Sequence, residues 1–198
     1  LGVWEPSSWE ECLEKTGRPP ITTKWVDVDK GRDGEMLVRS RLVARVFKMK
    51  GDDRGLDVFA ATPPLELKRL LFRMARVRGG VGGDDKDGDV KLMFIDVKKA
   101  HLNGVVGNDE FAYILLTKEA GVGVGRLRRW LYGMRPAASA WEDHYAAKLK
   151  EEGFTRSKAA PTAFVNEQTG VRLVVWGDGF AFLGRERCLK QMAGKMAE

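Results

Sequence analysis

Two aspartates occupy positions where a carboxylate could take part in chemistry. Asp96 lies near the end of the apolar run at residues 92–97, which is typical of a buried strand, and Asp178 lies at the tip of an expected hairpin. An ionised carboxylate beside an apolar sheet needs a partner, and a bound cation is the usual one. Two such groups on adjacent strands could hold Mg²⁺ and serve phosphoryl transfer, with substrate phosphates completing the coordination. The alternatives are turn chemistry at Asp178 and a strand-end cap at Asp96.

Positive charge is concentrated in two segments of a chain whose formal net charge is +6. Residues 38–50 hold five cations and no acid, and residues 126–135 hold four arginines and no acid. Arg39, Arg41 and Arg45 share parity along one expected strand, so their side chains should project from one face. We expect that face to look toward a cleft holding Asp96. Such a face could follow a phosphate backbone, and the alternative is a pair of solvated strand faces.

The elements that must position these residues mix strands with helices. A helix with Ser8 as N-cap precedes a hairpin whose strands cover residues 22–29 and 35–49, joined by the breaker cluster at 30–34. Residues 62–74 predict a helix opened by prolines, and residues 78–89 predict a flexible loop. Downstream, the pattern indicates strands at 92–97 and 111–116, a helix at 137–152, a hairpin of 171–176 with 180–183, and an amphipathic stretch from residue 185. The expected fold class is therefore α+β.

Composition and the termini disfavour several classes of protein. No apolar run approaches the ~18 residues that a membrane span needs, and the first residues lack the pattern of a signal peptide. Cys12 and Cys188 lie far apart without metal-ligand spacing, which indicates two free thiols in a reducing compartment rather than a zinc site. We therefore expect an intracellular protein, cytoplasmic or nuclear and not secreted, with no membrane partner. Because no Met begins the chain, we expect it to be part of a longer one.

Five blocks of the chain, in order, resemble segments of copia-type retrotransposon reverse transcriptases. Residues 94–104 resemble the block D-V-K-T-A-F-L-N-G, and Trp176-Gly177-Asp178-Gly179 falls where that family has Y-V-D-D. Residues 39–45 resemble Y-K-A-R-L-V-A-K-G-F, residues 130–141 resemble S-L-Y-G-L-K-Q-A-P-R-A-W, and residues 153–158 resemble G-F-x-x-S-K. One block alone would be weak, but five in family order and at family-like spacing are specific.

The resemblance implies a fragment of a right-hand polymerase, the RNA-directed DNA polymerase domain of a Pol polyprotein. About residues 1–90 would form the N-terminal and fingers region, and about residues 91–198 mainly the palm, an antiparallel sheet with packed helices; we expect the thumb to be absent. The implied partners are a primer–template nucleic acid, either an RNA/DNA hybrid or DNA, and deoxynucleoside triphosphates. The implied cofactor is Mg²⁺ in a two-metal site, with Mn²⁺ as an alternative.

The roles known in the family carry over onto matching positions of this chain. Asp96 and Asp178 match metal-binding catalytic aspartates, and the backbone carbonyl of Val97 would help to bind metal. Arg41 matches an arginine that contacts the incoming triphosphate, for which a planar guanidinium is suited. The other expected contacts with the nucleotide are His101 and Gly133, and the expected contacts with nucleic acid are Arg39, Arg45 and Arg135.

Two departures from the family pattern bear on activity. Gly179 stands where Y-x-D-D has its second aspartate, and His101 stands where the family has an aromatic residue at the gate that excludes a ribose 2′-hydroxyl. A lost metal ligand weakens metal binding, so we expect this copy to be inactive or weak. The alternatives are a non-catalytic nucleic-acid-binding remnant of a decayed retroelement and a plain structural domain with an incidental basic surface.

Overall fold

The computed structural model describes residues 2–45, 61–78, 90–121 and 123–196. The strands in these ranges are β1 (Trp4–Ser7), β2 (Ile21–Asp29), β3 (Val38–Ala44), β4 (Val90–Asp96), β5 (Tyr113–Leu115), β6 (Val124–Leu127), β7 (Thr155–Arg156), β8 (Ala163–Val165), β9 (Arg172–Trp176) and β10 (Gly179–Arg185). The helices are α1 (Trp9–Thr16), α2 (Leu65–Arg78), α3 (Pro136–Glu151) and α4 (Glu186–Met196), with a 3-10 turn at Ala100–Asn103. The expected strand residues 46–49 and the cations Lys48 and Lys50 lie outside the described residues. Of the expected loop at 78–89, the first residue, Arg78, instead ends α2, and the rest lies outside the described residues.

The described residues form an α+β fold with four helices and two five-stranded sheets, which confirms the expected class. The predicted helix at 137–152 is α3, and its Trp141, Tyr145 and Leu149 are all buried. Within the described ranges, no helix is both long enough and apolar enough to cross a membrane. The fold divides into two compact units, Leu1–Phe59 with Ala100–His144 and Ala60–Lys99 with Tyr145–Glu198. Each unit is therefore assembled from two separate stretches of the chain.

The first unit is built on a mixed sheet in the order β1-β6-β5-β2-β3. β2 pairs in parallel with β5, and the other pairings of this sheet are antiparallel. Leu42 and Ala44 at the end of β3 are buried, whereas most other residues of β2 and β3 are exposed. This pair confirms the predicted hairpin within the described residues, although β3 begins only at Val38. The core of the unit is formed by Ala44, Val106, Ala112, Ile114, Leu127, Trp130, Leu131, Met134 and Ala137.

α1 begins where the sequence predicts. The Ser8 hydroxyl accepts a 3.0 Å hydrogen bond from the N–H of Glu11, which is the expected N-cap. Gly17 ends the helix in the left-handed conformation, with φ 65°. The Glu11 carboxylate accepts hydrogen bonds from the hydroxyls of Ser7 at 2.7 Å and Tyr113 at 2.9 Å. The helix is therefore tied to β5 as well as capped.

The second unit is built on an antiparallel sheet in the order β4-β10-β9-β8-β7. β10 lies inside this sheet and is buried along nearly its whole length. Phe180 faces one side, where Tyr145 of α3 packs edge-on against it. Ala181 and Leu183 pack in a cluster with Leu71 of α2. Because side chains alternate along a strand, these two sets cover opposite faces of the sheet.

The apolar run at residues 92–97 does not form a buried strand. Among the described residues, β4 is the edge strand of its sheet and pairs only with β10. Leu92 packs against the cluster around Leu71, but Phe94 keeps 56% of its surface exposed beside Phe72, and Asp96 is exposed. The expectation that Asp96 is a costly buried carboxylate is wrong, because the end of an edge strand stays open to water.

Candidate functional site

Asp96 and Asp178 come together at one corner of the second unit's sheet. Asp96 is the last residue of β4, and Asp178 lies in the two-residue turn between β9 and β10, the strand that pairs with β4. The N–H of Val97 donates a 2.9 Å hydrogen bond to the carbonyl of Asp178, and the adjacent pair along this ladder is Asp96 with Gly179. The backbone of Asp178 is therefore hydrogen-bonded to the residue that follows Asp96, and the meeting of the two carboxylates stays a prediction.

The hairpin that carries Asp178 is confirmed, with a turn of two residues rather than three. Gly177 has a φ of 62° at the first central position, which a type II′ hairpin turn requires, and Asp178 follows it. Gly179 already belongs to β10 and is buried. Asp178 itself is exposed, so the expectation that its carboxylate needs a cation to offset burial is wrong for this acid too.

The described residues do not complete a site for two metal ions. Gly179 pairs with Asp96 and therefore faces the same side of the sheet, but it brings no side chain. Within the described ranges, no three His, Cys, Asp or Glu side chains are placed to hold a metal ion together. Mg²⁺ requires near-octahedral oxygen coordination, and in the described part of the chain this corner offers carboxylates from only Asp96 and Asp178. The donor set thus does not fit the two-ion site that the resemblance implies.

Arg41, His101 and Gly133 lie close together in the first unit, around a residue that the sequence reasoning missed. The Arg41 guanidinium lies 5.8 Å from the centroid of the Tyr132 ring, and the His101 ring meets the same ring edge-on at 5.2 Å. The N–H of Ala44 donates a 2.9 Å hydrogen bond to the carbonyl of Tyr132, which joins β3 to the segment containing Gly133. The only sequence signal for Tyr132 is that an aromatic residue precedes Gly133 in a family block.

Gly133 is required by the backbone geometry of this cluster. Its φ is +87°, and a Cβ atom at this position would lie 2.6 Å from the carbonyl oxygen of Ala44. Both features exclude a side chain, because the left-handed region is costly for other residues and the oxygen occupies the space. The need for β3 to approach closely therefore accounts for the glycine, and its contact with a nucleotide stays a prediction.

His101 is the member of the cluster with an unmet polar atom. It lies in the 3-10 turn Ala100–Asn103, and its Nδ1 is buried without a hydrogen-bond partner in the described part of the chain. Buried polar atoms normally have a partner, so such an atom calls for an explanation. A bound molecule could satisfy it, in keeping with the position expected for the sugar gate.

Of the three arginines expected to project from one face of the hairpin, Arg39 and Arg41 do so as predicted. Arg39 and Arg41 pair with valines of β2 at alternate positions, so they project from the same side of the hairpin. Arg45 is exposed just beyond the end of β3, and Arg135 is half-buried immediately before α3. Their contacts with nucleic acid, and the orientation of this face toward Asp96, stay predictions.

The clearest pKa shifts belong to structural contacts. Burial and the hydrogen bond to Glu11 raise the pKa of Tyr113 to about 12. The hydroxyls of Ser7 and Tyr113 in turn lower the pKa of Glu11. Hydrogen bonds from Lys91, which has the larger effect, and from Lys190 lower the pKa of Glu186 to about 2. These groups hold elements together, so perturbed titration does not by itself locate a catalytic site in this chain.

Comparison with known proteins gives one match. A family model described as reverse transcriptase (RNA-dependent DNA polymerase) matches residues 7–178. That range includes the cluster around Tyr132 and the corner formed by Asp96 and Asp178. No curated protein and no solved structure matches the chain.

Proposed function

Since the chain belongs to the reverse transcriptase (RNA-dependent DNA polymerase) family, we propose that it forms the fingers and palm of a copia-type retrotransposon Pol polyprotein. The β2–β3 hairpin of the first unit belongs to the fingers, and the antiparallel sheet of the second unit belongs to the palm. The chain binds a primer–template and deoxynucleoside triphosphates, and Gly179 impairs its nucleotidyl transfer.

The observation that carries this proposal is the pairing of β4 with β10. It brings an aspartate at the end of one strand, Asp96, beside an aspartate in the adjoining hairpin turn, Asp178. Turn chemistry accounts for an aspartate in the turn, but it does not require a second one on the neighbouring strand. Two carboxylates at one corner, in the family's order along the chain, support a palm.

The cluster around Tyr132 supports a nucleotide site. An Arg guanidinium presents a fork of N–H groups that matches phosphate oxygens, and its flat face can lie on an aromatic ring. Arg41 would hold the triphosphate, with Tyr132 positioning its guanidinium and His101 lying at the sugar gate. Because the acid at position 179 is missing, Mg²⁺ or Mn²⁺ would be held weakly at Asp96 and Asp178, and the described residues form no complete metal site for transfer.

A second candidate function is nucleic-acid binding without catalysis, as in a remnant of a decayed element. The observation that favours it is Gly179, which leaves the position directly across from Asp96 without a carboxylate. The basic face of the β2–β3 hairpin would serve this function equally well.

Primer extension and hybrid binding, measured on the same preparation, separate the two functions. Extension would be followed on RNA and DNA templates with Mg²⁺ and with Mn²⁺, and binding by fluorescence anisotropy of a labelled hybrid. Slow extension that Asp96→Asn abolishes supports an impaired polymerase. Binding without extension supports the second candidate, and the absence of both contradicts the proposal.

A further inference from the structure

The indole of Trp176 occupies the space that a side chain at position 179 would need. Trp176 is the last residue of β9 and pairs with Gly179, the first residue of β10. A Cβ atom at position 179 would lie 2.9 Å from Nε1, 3.2 Å from Cε2 and 3.5 Å from Cδ1 of this ring. Because paired residues share a face, the ring lies on the side of the sheet where Asp96 projects.

The indole is held from two sides. It packs against the apolar cluster formed by Leu71, Val174, Ala181 and Leu183, and the ammonium of Lys68 lies 5.0 Å from the ring centroid. A cation over an aromatic face attracts the ring, and the apolar contacts restrict rotation of the indole. Moving the ring away from Gly179 would therefore lose contacts with α2 as well as with β10.

The turn does not explain the glycine at position 179. Gly177 supplies the positive φ of the hairpin, whereas the φ of Gly179 lies outside the left-handed region, in a regular strand. Its backbone would accept any residue, so the neighbouring indole is the obstacle to a side chain there.

We propose that the Trp176 indole blocks position 179, where the family has a third acid beside Asp96 and Asp178. Residues 176 and 179 are therefore coupled, and a change at one alters the effect of a change at the other. An aspartate placed at position 179 alone would collide with the indole and would not join Asp96 and Asp178. A carboxylate site needs both the acid and the removal of the ring. The role of position 179 as an acid position rests on the proposed function. The contact between the indole and position 179 does not depend on that function.

A double-mutant cycle tests the coupling without any activity. Gly179→Ala, Trp176→Leu and the double variant would be compared with the unchanged chain by urea unfolding. We expect Gly179→Ala to lower the ratio of folded to unfolded protein by about tenfold, and this loss to shrink to about twofold or less when Trp176 is Leu, within the range of couplings between residues in contact. Trp25→Leu, which removes an indole of the first unit, should leave the loss at about tenfold. Equal losses with and without the Trp176 indole would overturn the inference.

Metal binding gives a second readout that packing alone would not change. Mn²⁺ affinity would be measured by electron paramagnetic resonance for Gly179→Asp, Trp176→Leu and Gly179→Asp with Trp176→Leu. We expect the double variant to bind Mn²⁺ at least about tenfold more tightly than either single variant, the order of magnitude of a gained ligand. If Gly179→Asp alone binds as tightly as the double variant, the inference is wrong. A double variant that binds Mn²⁺ but never extends a primer would instead contradict the proposed function.

Discussion

The Arg41 side chain lies on an aromatic ring and has the shape to bind phosphate oxygens as well. Its guanidinium lies over the ring of Tyr132, which in turn is met edge-on by His101. A cation over an aromatic face is attracted to the ring, and a planar guanidinium can in addition bind two phosphate oxygens at once. A lysine ammonium is a compact charge that cannot form this bidentate contact. The substitution Arg41→Lys therefore isolates these properties while preserving the charge.

We expect Arg41→Lys to weaken binding of a deoxynucleoside triphosphate by about tenfold or more, because charge-assisted bidentate contacts are the strong ones. The measurement is calorimetric titration of triphosphate into the chain bound to a primer–template whose primer lacks a 3′-hydroxyl. Arg18→Lys, at an exposed position of the same unit, is the matched control and should leave the affinity unchanged. Equal affinities for the two variants would show that Arg41 does not bind the triphosphate.

Gly133 allows a second prediction at the scale of a residue, with Gly17 as its control. Both have positive φ, +87° and +65°, but a Cβ atom at Gly17 would meet nothing within 4 Å, whereas at Gly133 it would meet the Ala44 carbonyl oxygen. We expect Gly17→Ala to lower the free energy of unfolding by ~1–2 kcal/mol, the cost of the left-handed region. Gly133→Ala should lower it by at least ~1 kcal/mol more, because a backbone oxygen must also move. Urea unfolding of both variants decides this, and similar losses would contradict the close approach of β3.

Between elements, the tie of α1 to β5 depends on ionisation. The Tyr113 hydroxyl donates to the Glu11 carboxylate, and Arg126 of β6 lies 3.9 Å from the same carboxylate. Tyr113 is buried, so its neutral form is favoured and its pKa rises to about 12. Glu11 accepts two hydroxyl hydrogen bonds, so its charged form is favoured and its pKa falls. The helix is therefore held best when Tyr113 is protonated and Glu11 is ionised.

We expect the hydrogen bond between Tyr113 and Glu11 to make the free energy of unfolding depend on pH at both high and low pH. The folded pKa of Tyr113 is raised from the ordinary value of 10.0 to about 12, so its contribution is fully present below 10.0 and is lost as pH rises through about 12. The folded pKa of Glu11 is lowered from 4.5, so its contribution is present above 4.5 and is lost as pH falls through the folded value. Unfolding free energies of the unchanged chain and of Tyr113→Phe, measured across pH, should differ less at both extremes than near neutrality. A constant difference would contradict the role of this hydrogen bond.

Across the whole molecule, the groups expected to bind nucleotide and those expected to take part in transfer belong to different units. Arg39, Arg41 and Arg45 are in the first unit, and Asp96 and Asp178 are in the second. Both units are built from two stretches of chain, so a cut anywhere within the matched range would divide at least one of them. The net charge of +6 favours association with a polyanion and makes that association dependent on salt.

Hybrid binding should weaken steeply as salt rises. If Arg39, Arg41 and Arg45 each neutralise one phosphate, the affinity should fall by roughly 40-fold between about 50 and about 200 mM salt. Arg39→Gln should reduce the slope of log affinity against log salt by about 1, whereas Arg18→Gln should leave it unchanged. Fluorescence anisotropy with a labelled primer–template hybrid measures both effects. An affinity that does not vary with salt would show that the basic strand is only a solvated surface.

The sequence by itself determined those features that depend on neighbours along the chain. The Ser8 cap, the helix at 137–152 and the β9–β10 hairpin follow from local pattern, and each is confirmed. The ordered blocks pointed to the reverse transcriptase family, which the match over residues 7–178 shows. Short-range chemistry suffices for these features, because caps, turns and side-chain periodicity act over a few residues.

Only the tertiary structure decided which distant residues meet. An apolar run has the same sequence pattern at the edge of a sheet as inside it, so the exposure of Asp96 depended on the pairing of β4, which among the described residues has a partner on one side only. Tyr132 became the centre of a cluster because β3 and a segment far along the chain lie side by side. The sequence indicates only that Gly179 replaces an acid of the family motif. The strand register adds that the Trp176 ring lies against this position. The physical reason is that pairing and packing join residues that local pattern cannot connect.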